Sequence, residues 1–147
     1  MKLKITLSAL FVVTALFASS ATARNTKVEL SVKKAATEGE MHENLLDVPY
    51  FMKGQKHPKV KKSLITVKSN QKGRAFGRSD DEACQVAFIN SLLSLQKRAQ
   101  NEDADAIINI ISVTRNSKFE SSTKFQCVVG TFVSHVALKG ELVKFAK

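Results

Sequence analysis

Two cysteines have the clearest chemical options in this chain of 147 residues. Cys84 follows a serine and three acids that begin a predicted helix, and a helix N-terminus stabilises a thiolate. Cys84 could therefore act as a nucleophile or redox centre, but there is no C-x-x-C motif, and the neighbouring acids disfavour the thiolate. Cys127 offers a disulfide partner, so we predict a structural Cys84–Cys127 bond, with two free thiols as the alternative.

The other residue types that carry chemistry form no recognisable constellation. The histidines are His42, His57 and His135, and none stands at metal-ligand spacing from another histidine or a cysteine. No G-x-S-x-G motif marks a nucleophilic serine either. We therefore expect no catalytic residue, no metal and no cofactor.

Basic residues are concentrated in the segment from Lys53 to Arg78, in which no acidic residue occurs; the next acid is Asp80. Such a stretch attracts anionic lipid headgroups, lipopolysaccharide phosphates or acidic polymers, although a solvated face that keeps the protein soluble is the alternative. With one tyrosine and no tryptophan the chain has no evident platform for stacking bases, so nucleic acid is not an expected partner. The predicted anionic-surface-binding residues are Lys53, Lys56, Lys59, Lys61, Lys62, Lys68, Lys72, Arg74 and Arg78.

The first residues have the pattern of a cleavable secretory signal. Lys2 and Lys4 precede an apolar run from Ile5 to Ala18, and Ala21-Thr22-Ala23 is a small-x-small cleavage site. The run is too short to span a bilayer, and no cysteine follows it for lipidation. We expect residues 1–23 to be removed, leaving a basic, soluble protein that begins at Arg24.

Patterning predicts one domain from 61 to 147, preceded by an irregular segment over 24–60 that has a short strand at its start. Lys62 to Lys68 is predicted as a strand and Ser69 to Gly73 as a turn. The sequence Ser79-Asp80-Asp81-Glu82 is a capping box that begins a helix of about six turns.

Beyond the helix, Ala104 to Val113 is predicted as a strand covered on both faces. Thr123 to Leu138 is predicted as one long strand with a bulge at Gly130. A turn at Lys139-Gly140 and a short edge strand complete the domain. The expected fold is α+β, with a β-α-β-β core in which one long helix packs on a twisted sheet closed by one disulfide.

Several blocks, in this order, resemble a family of small exported bacterial proteins often labelled as an excinuclease subunit. The blocks are Asp81-Glu82-Ala83-Cys84, Leu92 to Ala99, Ala104 to Ile110, Phe125-Gln126-Cys127 and Val136 to Gly140. The label does not fit, because an excinuclease ATPase needs a phosphate-binding loop, and Gly73 and Gly77 lack its spacing.

The same order of elements is more distantly similar to the periplasmic domain of the Rcs envelope-stress lipoprotein and to small cytosolic domains sometimes called heavy-metal binding. This chain lacks the lipidation cysteine, the second disulfide and the long proline-rich linker of that lipoprotein. The resemblance therefore implies a fold more than an activity.

Taken together, these features predict an exported, non-enzymatic protein of the cell envelope, periplasmic or secreted, with no transmembrane segment. Its partner would be an anionic envelope component or another envelope protein. The alternative is a small secreted hydrolase or a thiol-based redox enzyme with its site at the start of the long helix.

Overall fold

The computed structural model describes residues 23–115 and 117–147, and nearly all of the predicted signal peptide, 1–23, lies outside them. The described chain folds as a mixed α+β domain, as predicted, with a seven-stranded sheet and one long helix. In chain order the elements are β1 (Thr26–Ser31), α1 (Val32–Glu38), β2 (Tyr50–Met52), β3 (Val60–Arg74), α2 (Asp80–Asn101), β4 (Ala106–Thr114), β5 (Ser117–Phe119), β6 (Lys124–Val129) and β7 (Val133–Phe145). A short 3-10 turn, His42–Asn44, lies between α1 and β2.

The sheet is built around β7. Its path is β1-β6-β7-β4-β2, with β3 also pairing with β7 and β5 with β4. Strand β3 lies antiparallel along almost the whole of β7, whereas β6 pairs with the start of β7 and β4 with its later part. Among the strands of residues 23–115 and 117–147, only β2 and β4 are parallel neighbours.

Helix α2 begins where its sequence predicts. The Ser79 hydroxyl accepts a hydrogen bond from the Glu82 amide at 3.2 Å, and the Glu82 carboxylate accepts one from the Ser79 amide at 3.2 Å. Three acids in the first turn also suit the positive end of the helix dipole. The helix then buries an apolar stripe that includes Phe88, Leu92 and Leu95 against one face of the sheet.

Close packing brings the first half of α2 onto β3 and β7. A Cβ atom placed on Gly73 would lie 2.4 Å from the Ala83 carbonyl oxygen, so only glycine allows this approach. The buried Ser134 hydroxyl donates to the same carbonyl at 2.6 Å. The Asn90 amide donates to the Lys72 carbonyl at 3.1 Å.

The predicted disulfide is present. Cys84 in the first turns of α2 is bonded to Cys127 in β6, with the two Cα atoms 5.8 Å apart. Both residues are fully buried in the main core. The bond therefore ties the start of the helix to the sheet.

The predicted long strand over 123–138 is two strands. A tight hairpin separates β6 from β7, and its Gly130 amide donates to the Val133 carbonyl at 2.8 Å. The predicted turn at Lys139-Gly140 is instead the middle of β7. Gly140 has a packing role there, because a Cβ atom on it would lie 2.7 Å from Ile107 Cγ2.

Strand β3 is also longer than predicted. The polar residues from Ser69 to Gly73, interpreted as a turn, continue the strand because their backbone pairs in register with Leu138 to Ser134 of β7. The segment 24–60 is less irregular than predicted. Its β1 pairs with β6 over six residues and its β2 pairs with β4, so both belong to the same sheet. Within the described residues, no helix has the length and apolarity needed to cross a bilayer.

Candidate anion-binding face of the sheet

Side chains of β7 alternate between two faces of the sheet. Val136, Leu138 and Leu142 point into the main core under α2. His135 and Lys139 therefore belong to the opposite side, which we call the open face. A small apolar cluster around Ile108 and Val143, with Phe51, His57 and Phe145 alongside, occupies one end of that face.

A concave region of about 430 Å³ lies on the rest of the open face. We call it the basic trough, and its lining includes Lys68, Asn70, Val113, Lys118, Ala137 and Lys139. The trough is built by three segments that are far apart in sequence. Lys68 of β3 lies directly opposite Lys139 of β7, and Lys118 of β5 lies opposite Val113 of β4.

Two further concave regions continue the trough in opposite directions. One is lined by Lys118 and Lys139 together with Glu120 and Glu141. The other, of about 220 Å³, shares Asn70, Val113 and Ala137 with the trough and adds Arg115 and His135. The basic side chains therefore line a continuous depression across the face.

The pKa of the His135 imidazole is sensitive to the charges around this depression. Partial burial lowers the pKa of His135 below its usual value, and the positive charges of Lys72 and Arg115 lower it further. Because both neighbouring charges have the same sign, this end of the depression disfavours another cation and favours an anion.

The trough lysines have no carboxylate of their own. Among the described residues, no ion pair within 4.0 Å involves Lys68, Lys118 or Lys139. The two nearby carboxylates have other contacts: Glu120 accepts from Lys53 at 2.8 Å, and Glu141 accepts from the Ser63 hydroxyl and the Asn109 amide. Because the partners of Glu141 are neutral, its charge offsets part of the lysine charge, and the three lysines still leave a net positive charge at the trough.

The nine predicted basic residues stand on β3 and on the loops before and after it. Lys68 and Lys72 belong to the open face of β3, and Arg74 follows at the end of the strand. Lys56 and Lys59 are exposed in the loop before β3, and Lys61 and Lys62 are exposed at its start.

Two of the nine are held by carboxylates. Lys53 pairs with Glu120, as described above. Arg78 donates two hydrogen bonds to Glu40, one of them at 3.0 Å, and this contact lowers the pKa of Glu40. Arg78 therefore anchors the loop before α2 to the N-terminal segment.

Sequence reasoning missed Lys118, Lys139 and Arg115. Lys139 stands in a predicted turn and Lys118 between the two predicted strands 104–113 and 123–138, so the sequence pattern places neither beside Lys68. The alternation of apolar and charged residues from Val136 to Val143 is the signal that could have placed Lys139 on the open face of a strand.

The residues considered for catalysis are separated. Cys84 is fully buried and bonded to Cys127, so it carries no thiol for the redox alternative. His42 lies against the Gly39 carbonyl, His57 against Phe145, and His135 on the open face. Within residues 23–115 and 117–147, no group of three His, Cys, Asp or Glu side chains is arranged to hold a metal ion.

Comparison of the chain with known protein families, with curated proteins and with solved structures found no match. The fold and the basic trough are therefore the basis for assigning a function.

Proposed function

We propose that this protein is an exported, non-enzymatic binding protein that holds a polyanionic component of the cell envelope in the basic trough. The observation that carries the proposal is the convergence of Lys68, Lys118 and Lys139, from three strands, with no ion pair within 4.0 Å among the described residues. The ligand chemistry that fits is a chain or surface bearing several phosphate or carboxylate groups.

An arrangement of this kind is unfavourable for the fold alone. Like charges directly opposite each other on neighbouring strands destabilise a sheet, and Lys68 faces Lys139 in this way. Lysines that served only solubility could be spread over the surface without that cost. A bound polyanion removes the repulsion, which supports a binding role for these positions.

Export is supported by two independent features. The N-terminal residues have the order of a signal peptide. The Cys84–Cys127 bond is stable in an oxidising compartment and rare in the cytosol. Both features support a periplasmic or secreted location.

The test compares two variants that lose the same formal charge. One replaces Lys68, Lys118 and Lys139 by glutamine; the matched control replaces Lys59, Lys61 and Lys62, which precede or begin β3. Binding of inorganic polyphosphate is measured at low and high salt. We expect the trough variant to bind about tenfold more weakly or worse, since a lysine beside an anionic surface contributes about 1 kcal/mol. The control should bind nearly as the wild type does.

Two results would overturn the assignment. Absence of wild-type binding at low salt would leave the lysines as a solvated surface, because screened attraction is strongest there. An equal loss in both triple variants would mean that total charge governs binding, and a larger loss in the control would assign binding to the linear segment from Lys53 to Arg78. Thermal unfolding of each variant verifies that the fold is intact.

A further inference from the structure

Two phenylalanine side chains protrude at the end of the sheet where β3 finishes and β7 begins. Phe76 and Phe132 are 62% and 67% exposed, the largest values among the exposed large apolar residues of the described chain. Their rings stack with centroids 6.0 Å apart. Val133, 39% exposed, adjoins them. We call these three residues the phenylalanine tip.

The tip is held in place by backbone contacts between two loops. The Phe132 carbonyl accepts hydrogen bonds from the Ala75 amide at 2.8 Å and the Phe76 amide at 3.4 Å. The guanidinium of Arg74 donates to the Phe76 carbonyl at 3.1 Å. The loop before α2 and the β6–β7 hairpin therefore present both rings together, on a rigid base.

Cationic side chains flank the tip on the open face. Arg74 lies opposite Val133 in the sheet, and Lys72 lies opposite the next open-face residue, His135. Arg115 lines a concavity of about 340 Å³ together with Phe132, Val133 and His135. Exposed aromatic rings beside basic groups are the combination with which proteins attach to anionic membrane surfaces.

The acidic residues closest to Phe76 in the sequence stand at the start of α2. Asp80 is paired with Arg24, and Glu82 is engaged in the capping box with Ser79. Asp81 is exposed. Among the described residues, Lys72, Arg74 and Arg115 have no ion pair within 4.0 Å, so their charges beside the rings are not neutralised by a contact of this kind.

We propose that the phenylalanine tip inserts into the interface of an anionic lipid bilayer while Lys72, Arg74 and Arg115 contact the headgroups. This surface adjoins the basic trough through Arg115, and it differs from the trough because its binding depends on apolar side chains as well as on charge. Two copies joined tip to tip would bring these cations against one another, so charge favours lipid over a second copy.

The experiment uses vesicles of phosphatidylcholine with and without phosphatidylglycerol. The test variant is Phe76→Ser/Phe132→Ser; the matched control is Met41→Ser/Ile65→Ser, which removes two exposed apolar side chains elsewhere. We expect the test variant to partition about tenfold more weakly onto the anionic vesicles, because membrane affinity scales with the apolar area buried. The control should stay within about twofold of the wild type.

A fluorescence measurement follows the insertion itself. The chain has no tryptophan, so Phe132→Trp introduces a single tryptophan at the tip. Its emission should shift to the blue when anionic vesicles are added, and brominated lipids should quench it. An unshifted emission spectrum would contradict insertion.

Three other outcomes would overturn the proposal: equal pelleting of the wild type and the Phe76→Ser/Phe132→Ser variant, equal binding to neutral and anionic vesicles, or a wild-type dimer that this variant dissociates. The polyphosphate assay separates the two proposals. Loss of the tip should leave polyphosphate binding unchanged, and loss of the trough lysines should leave the blue shift of Phe132→Trp in place.

Discussion

Reduction of the Cys84–Cys127 bond should cost this domain a large part of its stability. The bond joins residues 43 positions apart, and the chain-entropy relation for a loop of that length gives about 4 kcal/mol at 25 °C. A domain of this size has about 5–15 kcal/mol of net stability. Both cysteines are fully buried, and thiols pack as small apolar groups, so the reduced protein should keep its core and lose chiefly the cross-link.

Urea unfolding of the oxidised and reduced protein measures this difference. We expect a lower midpoint after reduction and a steeper dependence on urea, because an unfolded chain without the cross-link exposes more surface. The control is the Cys84→Ala/Cys127→Ala variant, on which the reductant should have no effect. A difference below about 1 kcal/mol would refute the loop-closure argument and mean that the denatured chain already holds the two segments together.

The buried side-chain amide of Gln96 forms hydrogen bonds at 2.8–2.9 Å with three backbone groups of Leu46 and Val48. Gln96→Leu should therefore lower the free energy of unfolding by about 2–3 kcal/mol. Gln100→Leu, on the exposed side of α2, should lower it by less than about 0.5 kcal/mol. Urea unfolding of the two variants checks this. NMR titration should find the pKa of His135 below about 6.5, so stability should fall as pH drops from there through the folded-state pKa. A His135→Gln variant should lack this part of the pH dependence of stability. Sequencing of exported protein should give Arg24 as the first residue; finding Met1 would exclude cleavage.

Helix α2 could be predicted because its sequence signals are local, and the disulfide could be predicted because there are only two cysteines to pair. A capping box, three acids and a long apolar stripe all agree on one helix from Asp80 to Asn101. Two cysteines allow a single intramolecular pairing. No knowledge of distant contacts was needed for either prediction.

The lengths of β3 and β7 could not be predicted, because tertiary contacts decide them. Gly73 and Gly140 suggested turns, but each lies inside a strand and gives room to an opposing group: the Ala83 carbonyl in one case and Ile107 in the other. The sequence identifies a glycine, but whether the glycine supplies space or a turn depends on what packs against it.

The same dependence on register explains why the basic segment supplies only part of the lining of the basic trough. Lys68 meets Lys139 because β3 and β7 pair over their full lengths, and no linear pattern relates residues so far apart. Charge counted along the chain therefore located one side of the trough and missed the side contributed by β5 and β7.

The structure also gives the high charge of the segment from Lys53 to Arg78 a second cause. Within the described part of the chain, β3 pairs only with β7, so its outer side is an edge of the sheet. Lysines on such an edge, among them Lys61 and Lys62, hinder pairing with another strand. Lys68 instead faces Lys139 across the trough. Lys139 belongs to β7, which has neighbouring strands on both sides, so protection of a sheet edge does not explain a lysine there. We therefore expect the Lys59, Lys61 and Lys62 variant to aggregate more readily while still binding polyphosphate. The trough variant should lose polyphosphate binding without aggregating more readily than the wild type.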